Sequence, residues 1–134
     1  MADLGAGGCR CGAVRYAIAG EAERHGLCHC RDCQMASGAP MVAWLAVGTD
    51  QFRVTQGEAS CFTGESGSQR YFCGQCGTPL YFVNETMLPG IVDVQSVTLD
   101  HPDATRPTMH IQVAERRAWM DGAEKLPSFE RWPE

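Results

Sequence analysis

An all-β fold of short antiparallel strands is predicted for this 134-residue chain, on three observations. Apolar residues alternate with polar or small ones in several separate stretches, the period of a half-buried strand. Turn residues recur at intervals of about ten residues. The one candidate for a helix, Gln34-Met35-Ala36-Ser37-Gly38, runs into Ala39-Pro40 and has room for a single turn or a loop.

In chain order, Gly5, Gly7 and Gly8 suggest a flexible start. Residues Ala13 to Ala19 place Val14, Tyr16 and Ile18 on one face, and Glu21 to Leu27 reads as a second strand leading into a cysteine-rich stretch. Met41 to Val47 is an apolar run centred on Trp44, bounded by Pro40 and Gly48, and reads as a buried strand. Phe52-Arg53-Val54 alternates, and Gln56-Gly57 closes it. Ala59 to Thr63 and Gln69 to Phe72 flank a Gly- and Ser-rich turn and predict a hairpin. Leu80 to Val83 and Ile91 to Val97 follow, separated by Asn84 and Pro89-Gly90. Leu99 to Pro107 has loop composition, Met109 to Val113 predicts a last strand, and the tail from Arg116 is expected to drape over the body.

The length fits one domain over residues 1–134 with a real core. A net charge of -5 without any basic run argues against nucleic acid. The longest apolar stretch, Ala39 to Val47, is too short to cross a bilayer, so no membrane role is expected. No charged start followed by an apolar core suggests a secretory signal, and a reducing cytoplasmic setting is expected.

Seven of the eight cysteines fall into tight groups: Cys9 with Cys11, Cys28 with Cys30 and Cys33, and Cys73 with Cys76. That is metal spacing rather than disulfide spacing. Tetrahedral zinc, with bonds near 2.3 Å, wants its sulfurs roughly 3.8 Å apart. Cys28 and Cys30 point to one side of an extended segment, and Cys33 can turn back onto them. Three ligands leave one position for a substrate, the mark of a catalytic rather than a structural zinc. Cys73-Gly74-Gln75-Cys76-Gly77 has the form of a zinc knuckle, whose glycines let backbone N–H groups face the thiolates. With Cys9 and Cys11 it makes a four-thiolate structural site. Spacing alone also allows Cys9 and Cys11 to join Cys28 and Cys30, leaving Cys33 with the knuckle.

The runs Gly8-Cys9-Arg10-Cys11-Gly12-Ala13-Val14, Cys28-His29-Cys30-Arg31-Asp32-Cys33-Gln34, Ser37-Gly38-Ala39-Pro40, Arg70-Tyr71-Phe72-Cys73-Gly74-Gln75-Cys76-Gly77-Thr78 and His110-Ile111 resemble the glutathione-dependent formaldehyde-activating enzyme (S-(hydroxymethyl)glutathione synthase) family in order and spacing. The resemblance implies an Mss4-like all-β fold with two zinc ions per chain. It assigns Cys9, Cys11, Cys73 and Cys76 to the structural zinc, and Cys28, Cys30 and Cys33 to the catalytic zinc. The implied activity is that of a carbon-sulfur lyase that adds a low-molecular-weight thiol such as glutathione to formaldehyde or another small aldehyde. A non-catalytic zinc module that carries a thiol or binds a protein partner is the alternative. The chain departs from the family pattern in being shorter than the members that gave it its name, and in having Leu99-Asp100-His101-Pro102 where two adjacent acids commonly precede the proline.

Around these groups, Cys61 reads as a free, half-buried strand cysteine, the alternative being a fourth ligand that closes the triple site. His29 should face away from its flanking cysteines in a packing or surface role, the alternative being a pocket acid or base, and Asp32 should accept N–H bonds within its own turn, the alternative being a metal ligand. Trp44 reads as core, the alternative being a substrate platform, Arg70 and Ser66 as solvated residues able to clamp a carboxylate, and His110 as structural. His25 and His101 carry no ligand spacing.

Overall fold

In the computed structural model, which describes residues 3–133, two sheets enclose the main core. The smaller sheet has three antiparallel strands, β1 (Gly5–Gly8), β2 (Arg15–Ile18) and β5 (Phe52–Gln56), in the order β1-β2-β5. The larger joins β3 (Arg24–Cys28), β4 (Val42–Gly48), β6 (Ser60–Thr63), β7 (Gln69–Phe72), β8 (Pro79–Val83), β9 (Ile91–Gln95) and β10 (Met109–Ile111). Its order is β10-β3-β4-β9-β8-β7-β6, and every pairing is antiparallel except β10 on β3. The all-β expectation is borne out, with most strands within a few residues of their expected limits.

Pairing explains how the chain sorts its residues. Directly opposed residues share a sheet face, so Leu45, Val94 and Tyr81 line one side of the large sheet in a single row. That side packs on Tyr16 and Ile18 of the small sheet and on Val14 just before β2, together with Val47, Leu80, Val92 and Leu99. Burying each of these aliphatic side chains stabilises the fold by roughly 1.5–3 kcal/mol. Tyr16 is buried as well, and its hydroxyl lies 2.7 Å from the Thr98 hydroxyl, which donates to the Gln95 carbonyl.

Three sequence expectations are corrected here. The glycine-rich start is an ordered strand, because Gly7 lies so close to β2 that a side chain would strike the Tyr16 ring and the Thr98 carbonyl oxygen. The segment after Cys30 is a seven-residue helix, α1 (Arg31–Ser37), rather than a single turn. Cys30 caps its start by accepting from the Cys33 N–H, and Gly38 closes it at φ 70°, in the left-handed region that favours glycine. The tail from Arg116 forms short 3-10 turns and leaves Trp119, Phe129 and Trp132 exposed instead of laying them on the body.

Candidate metal centre and active site

The opposite face of the large sheet carries a separate buried cluster of Cys28, Cys33, Val42 and Trp44, with Cys30 and Phe82 against it. Cys28 ends β3, Cys30 caps α1, and Cys33 sits in the first helical turn, so strand end and helix start fold the three sulfurs onto one another. They lie within 4.8 Å of each other, with Cys28 and Cys33 3.7 Å apart. The second set, Cys9, Cys11, Cys73 and Cys76, also falls within 4.8 Å and bridges the β1–β2 loop to the β7–β8 turn. Cys9 and Cys11 are 3.6 Å apart, and Cys11 and Cys73 are 3.7 Å apart. The structure therefore groups the cysteines four and three; the other partition that spacing allowed, Cys9 and Cys11 with Cys28 and Cys30, does not occur.

Both sets fit a divalent metal on their own chemistry. Sulfur separations of 3.6 and 3.7 Å are those a tetrahedral zinc thiolate requires. Backbone N–H groups of Val14, Gln75 and Cys76 donate to Cys9 or Cys73, as thiolates rather than thiols demand. The Cys76 thiol is held down to about 5, first by the Thr78 hydroxyl. In the triple set, hydrogen bonding with Cys28 leads in pulling Cys33 down to about 5, against burial, with Cys30 and Arg70 adding to it. The same contact and burial push Cys28 up.

Arg70 is the principal surprise at this site. The sequence suggests a solvated strand residue, yet the guanidinium is largely buried over the Phe82 ring, 4.9 Å from its centroid, with Nη2 3.6 Å from Cys33 Sγ. Asp32 holds it there, accepting from Nε at 3.1 Å and Nη2 at 2.6 Å. Asp32 thus pairs with an arginine instead of capping its own turn. His29 faces away, as expected, and is buried against His110 at 2.8 Å. Trp44 belongs to the core, as expected, and also walls the cavities over the cysteines. Ser66 sits in the turn before β7 at φ 62°, and His25 is a structural residue bonded to Ser96. Cys61 is exposed on the edge strand β6, opposite Tyr71, and joins neither cysteine group.

Two cavities meet at Cys33. One, of about 300 Å³, opens over Cys28, Cys30 and Cys33 and is walled by Trp44, Phe82 and Ile111. The other, of about 430 Å³, is mainly apolar, lined by Val42, Trp44, Phe62, Phe72 and Leu80. The first also holds Arg24 and Asp93, which the sequence did not single out. Their placement follows from strand register: Arg24, Ala46, Asp93, Phe82, Arg70 and Phe62 oppose one another in turn across six strands, a single row on the cysteine face. Residue alternation within β9 hints at the position, but only the pairing reveals the row.

Fold and site together define an all-β protein with one four-thiol and one three-thiol cluster, the latter beneath a cavity. The crystal structure of a Rhodobacter sphaeroides protein shares the fold, with a TM-score of 0.62 at 20% identity, covering 78% of this chain and 98% of that one. An uncharacterized lyase of Schizosaccharomyces pombe is 29% identical over 112 residues, 72% of this chain and 80% of the relative. The family model for the glutathione-dependent formaldehyde-activating enzyme matches residues 5–115, and the chain belongs to that family.

Proposed function

We propose that this protein is a zinc-dependent carbon-sulfur lyase, one domain over its whole length, that adds a low-molecular-weight thiol such as glutathione to formaldehyde or another small aldehyde. The observation that carries this reading is the three-thiol cluster beneath a cavity, apart from the four-thiol cluster that meets the need for a structural staple. Cys28, Cys30 and Cys33 are the residues assigned to the catalytic zinc, and Cys9, Cys11, Cys73 and Cys76 to the structural one. A zinc ion in the triple site supplies Lewis acidity that lowers the pKa of an incoming thiol.

The remaining work falls to the chain. Trp44 and Phe82 pack against the sulfurs and wall the cavity over them, an apolar surround that strengthens charge interactions there. Arg70, fixed by Asp32 and seated on Phe82, keeps a positive charge beside Cys33 and offers an N–H to an anionic group of the substrate. The apolar cavity beyond Cys33 accommodates the organic part of a thiol or aldehyde larger than formaldehyde.

Calorimetric titration of the zinc-loaded protein with reduced glutathione, with S-methylglutathione as control, tests the reading. Binding that requires the free thiol, followed by faster S-hydroxymethyl adduct formation than in buffer, is the expected result. Thiol-dependent binding without acceleration would instead favour a thiol-carrying module. No binding at millimolar glutathione would remove glutathione as the substrate.

A further inference from the structure

Asp93 is the anomaly of the cysteine face. It lies in the middle of the large sheet, on β9, and is only 8% exposed. His25, His29, Gln34, Asn84, Gln95 and Ser96, the other buried polar side chains among the described residues, each make at least one hydrogen bond, although the Nδ1 of His29 has no partner. Asp93 makes none. Neither ion pair among the described residues includes it: these are Arg15 with Asp100 and Arg70 with Asp32. A mostly buried carboxyl without a protein partner is costly, and such groups concentrate at functional sites. Asp93 lines the cavity that all three thiols line, on their side of the sheet, with Phe82 separating it from Arg70. It makes no hydrogen bond to any of those thiols, so its carboxyl is available to a molecule in the cavity.

We propose that Asp93 is the catalytic acid-base residue of thiol addition, shuttling one proton from the incoming thiol to the aldehyde oxygen. This rests on the lyase reading above. The Asp93 carboxylate takes the S–H proton, and the sulfur lone pair forms the new C–S bond. The C=O π pair moves onto oxygen, and that oxygen takes the proton from Asp93. Thiol and aldehyde become the S-hydroxyalkyl adduct, Asp93 returns to carboxylate, and nothing is oxidised or reduced. In the reverse direction the same group removes the hydroxyl proton and returns it to the departing sulfur.

The local charges suit this role. Burial pushes the Asp93 carboxyl up to about 6, with Arg24 opposing and Cys33 adding to the rise. Arg24 reaches the cavity from β3, Cys28 from the end of that strand, Cys30, Asp32 and Cys33 from α1 and its cap, and Arg70 from β7. A group poised just below neutrality can both accept and release a proton at pH 7.

The test compares wild type with the near-isosteric Asp93→Asn and with Asp93→Glu, all zinc-loaded, by NMR exchange between formaldehyde, glutathione and their adduct. Expected for Asp93→Asn are two bound zinc ions, unchanged glutathione affinity and a fall in kcat of about 100-fold or more. The wild-type loss of rate below pH 6 should vanish in Asp93→Asn and return, with part of the rate, in Asp93→Glu. An Asp93→Asn variant with wild-type kcat overturns the proposal while leaving the lyase reading intact. Loss of zinc or of glutathione binding in that variant also overturns it, since Asp93 would then be structural. A wild-type protein without acceleration removes the lyase reading, and this proposal with it.

Discussion

Asp93 should leave a signature in stability as well as in rate. Its carboxyl has a pKa near 6 in the fold against an ordinary value of 3.8. Between those values the folded chain binds more protons than the unfolded one, so stability is full below about pH 4 and is lost as pH rises through 6. Two pKa units correspond to roughly 3 kcal/mol. Asp93→Asn is therefore expected to exceed wild type by about 2–3 kcal/mol at pH 8 and by clearly less at pH 5, measured by urea unfolding of the zinc-loaded proteins at both. An equal gain at both values would assign the effect to packing rather than charge. Asp32 presents the opposite case. Its side chain is 73% exposed, so its ion pair with Arg70 contributes little to stability, and its use is to aim the guanidinium. Asp93 was illegible in the sequence for a physical reason: in Ile91-Val92-Asp93-Val94 a polar residue alternates with apolar ones, the pattern of a strand with one wet face. Only the central place of β9, between β4 and β8, and the cysteine cluster packed on the same face of the sheet cover that side.

Among the elements, β1 and α1 were misread because their signals lie in partners distant in sequence or in cysteine chemistry. Glycine is a poor strand former, but Gly7 is required where β1 crosses Tyr16 and the Thr98 carbonyl. Gly7→Ala should cost about 1–3 kcal/mol from overpacking, seen as a lower Tm, whereas an alanine at a flexible terminus would leave the Tm unchanged. For α1, the cap is a cysteine, a residue outside the usual set of N-caps. A strand with clear alternation, such as β2, was legible because one of its faces is buried and the other only half covered. The parallel seating of β10 on β3 was not, since no local pattern specifies a partner more than eighty residues away.

For the molecule as a whole, the four-thiol cluster joins the small sheet to the large one at the β1–β2 loop and the β7–β8 turn, with the Arg10 N–H donating to the Thr78 hydroxyl beside it. On the zinc reading, metal there contributes on the order of 10 kcal/mol to folding. Removing both ions with a chelator should abolish the near-ultraviolet circular dichroism of the native fold, and added zinc should restore it. A native spectrum that survives complete metal removal would contradict the staple. The short cysteine motifs were the most legible part of the site, because their ligand spacing is local, whereas the joining of Cys9 and Cys11 to Cys73 and Cys76 spans 62 positions and spacing left it open. Arg24, Asp93 and the apolar cavity depend on register and were not legible.

The two clusters also differ in when they can exist. Cys28 and Cys33 stand five residues apart, so the triple set can sample its geometry as soon as that short segment leaves the ribosome. Cys11 and Cys73 are separated by 62 positions, and Ile111, which walls the cavity, arrives later still. A nascent chain thus presents these three thiols before it owns the walls that restrict access to them. For that interval any passing electrophile or metal ion meets them unprotected, and the late pairing of β10 brings the interval to a close.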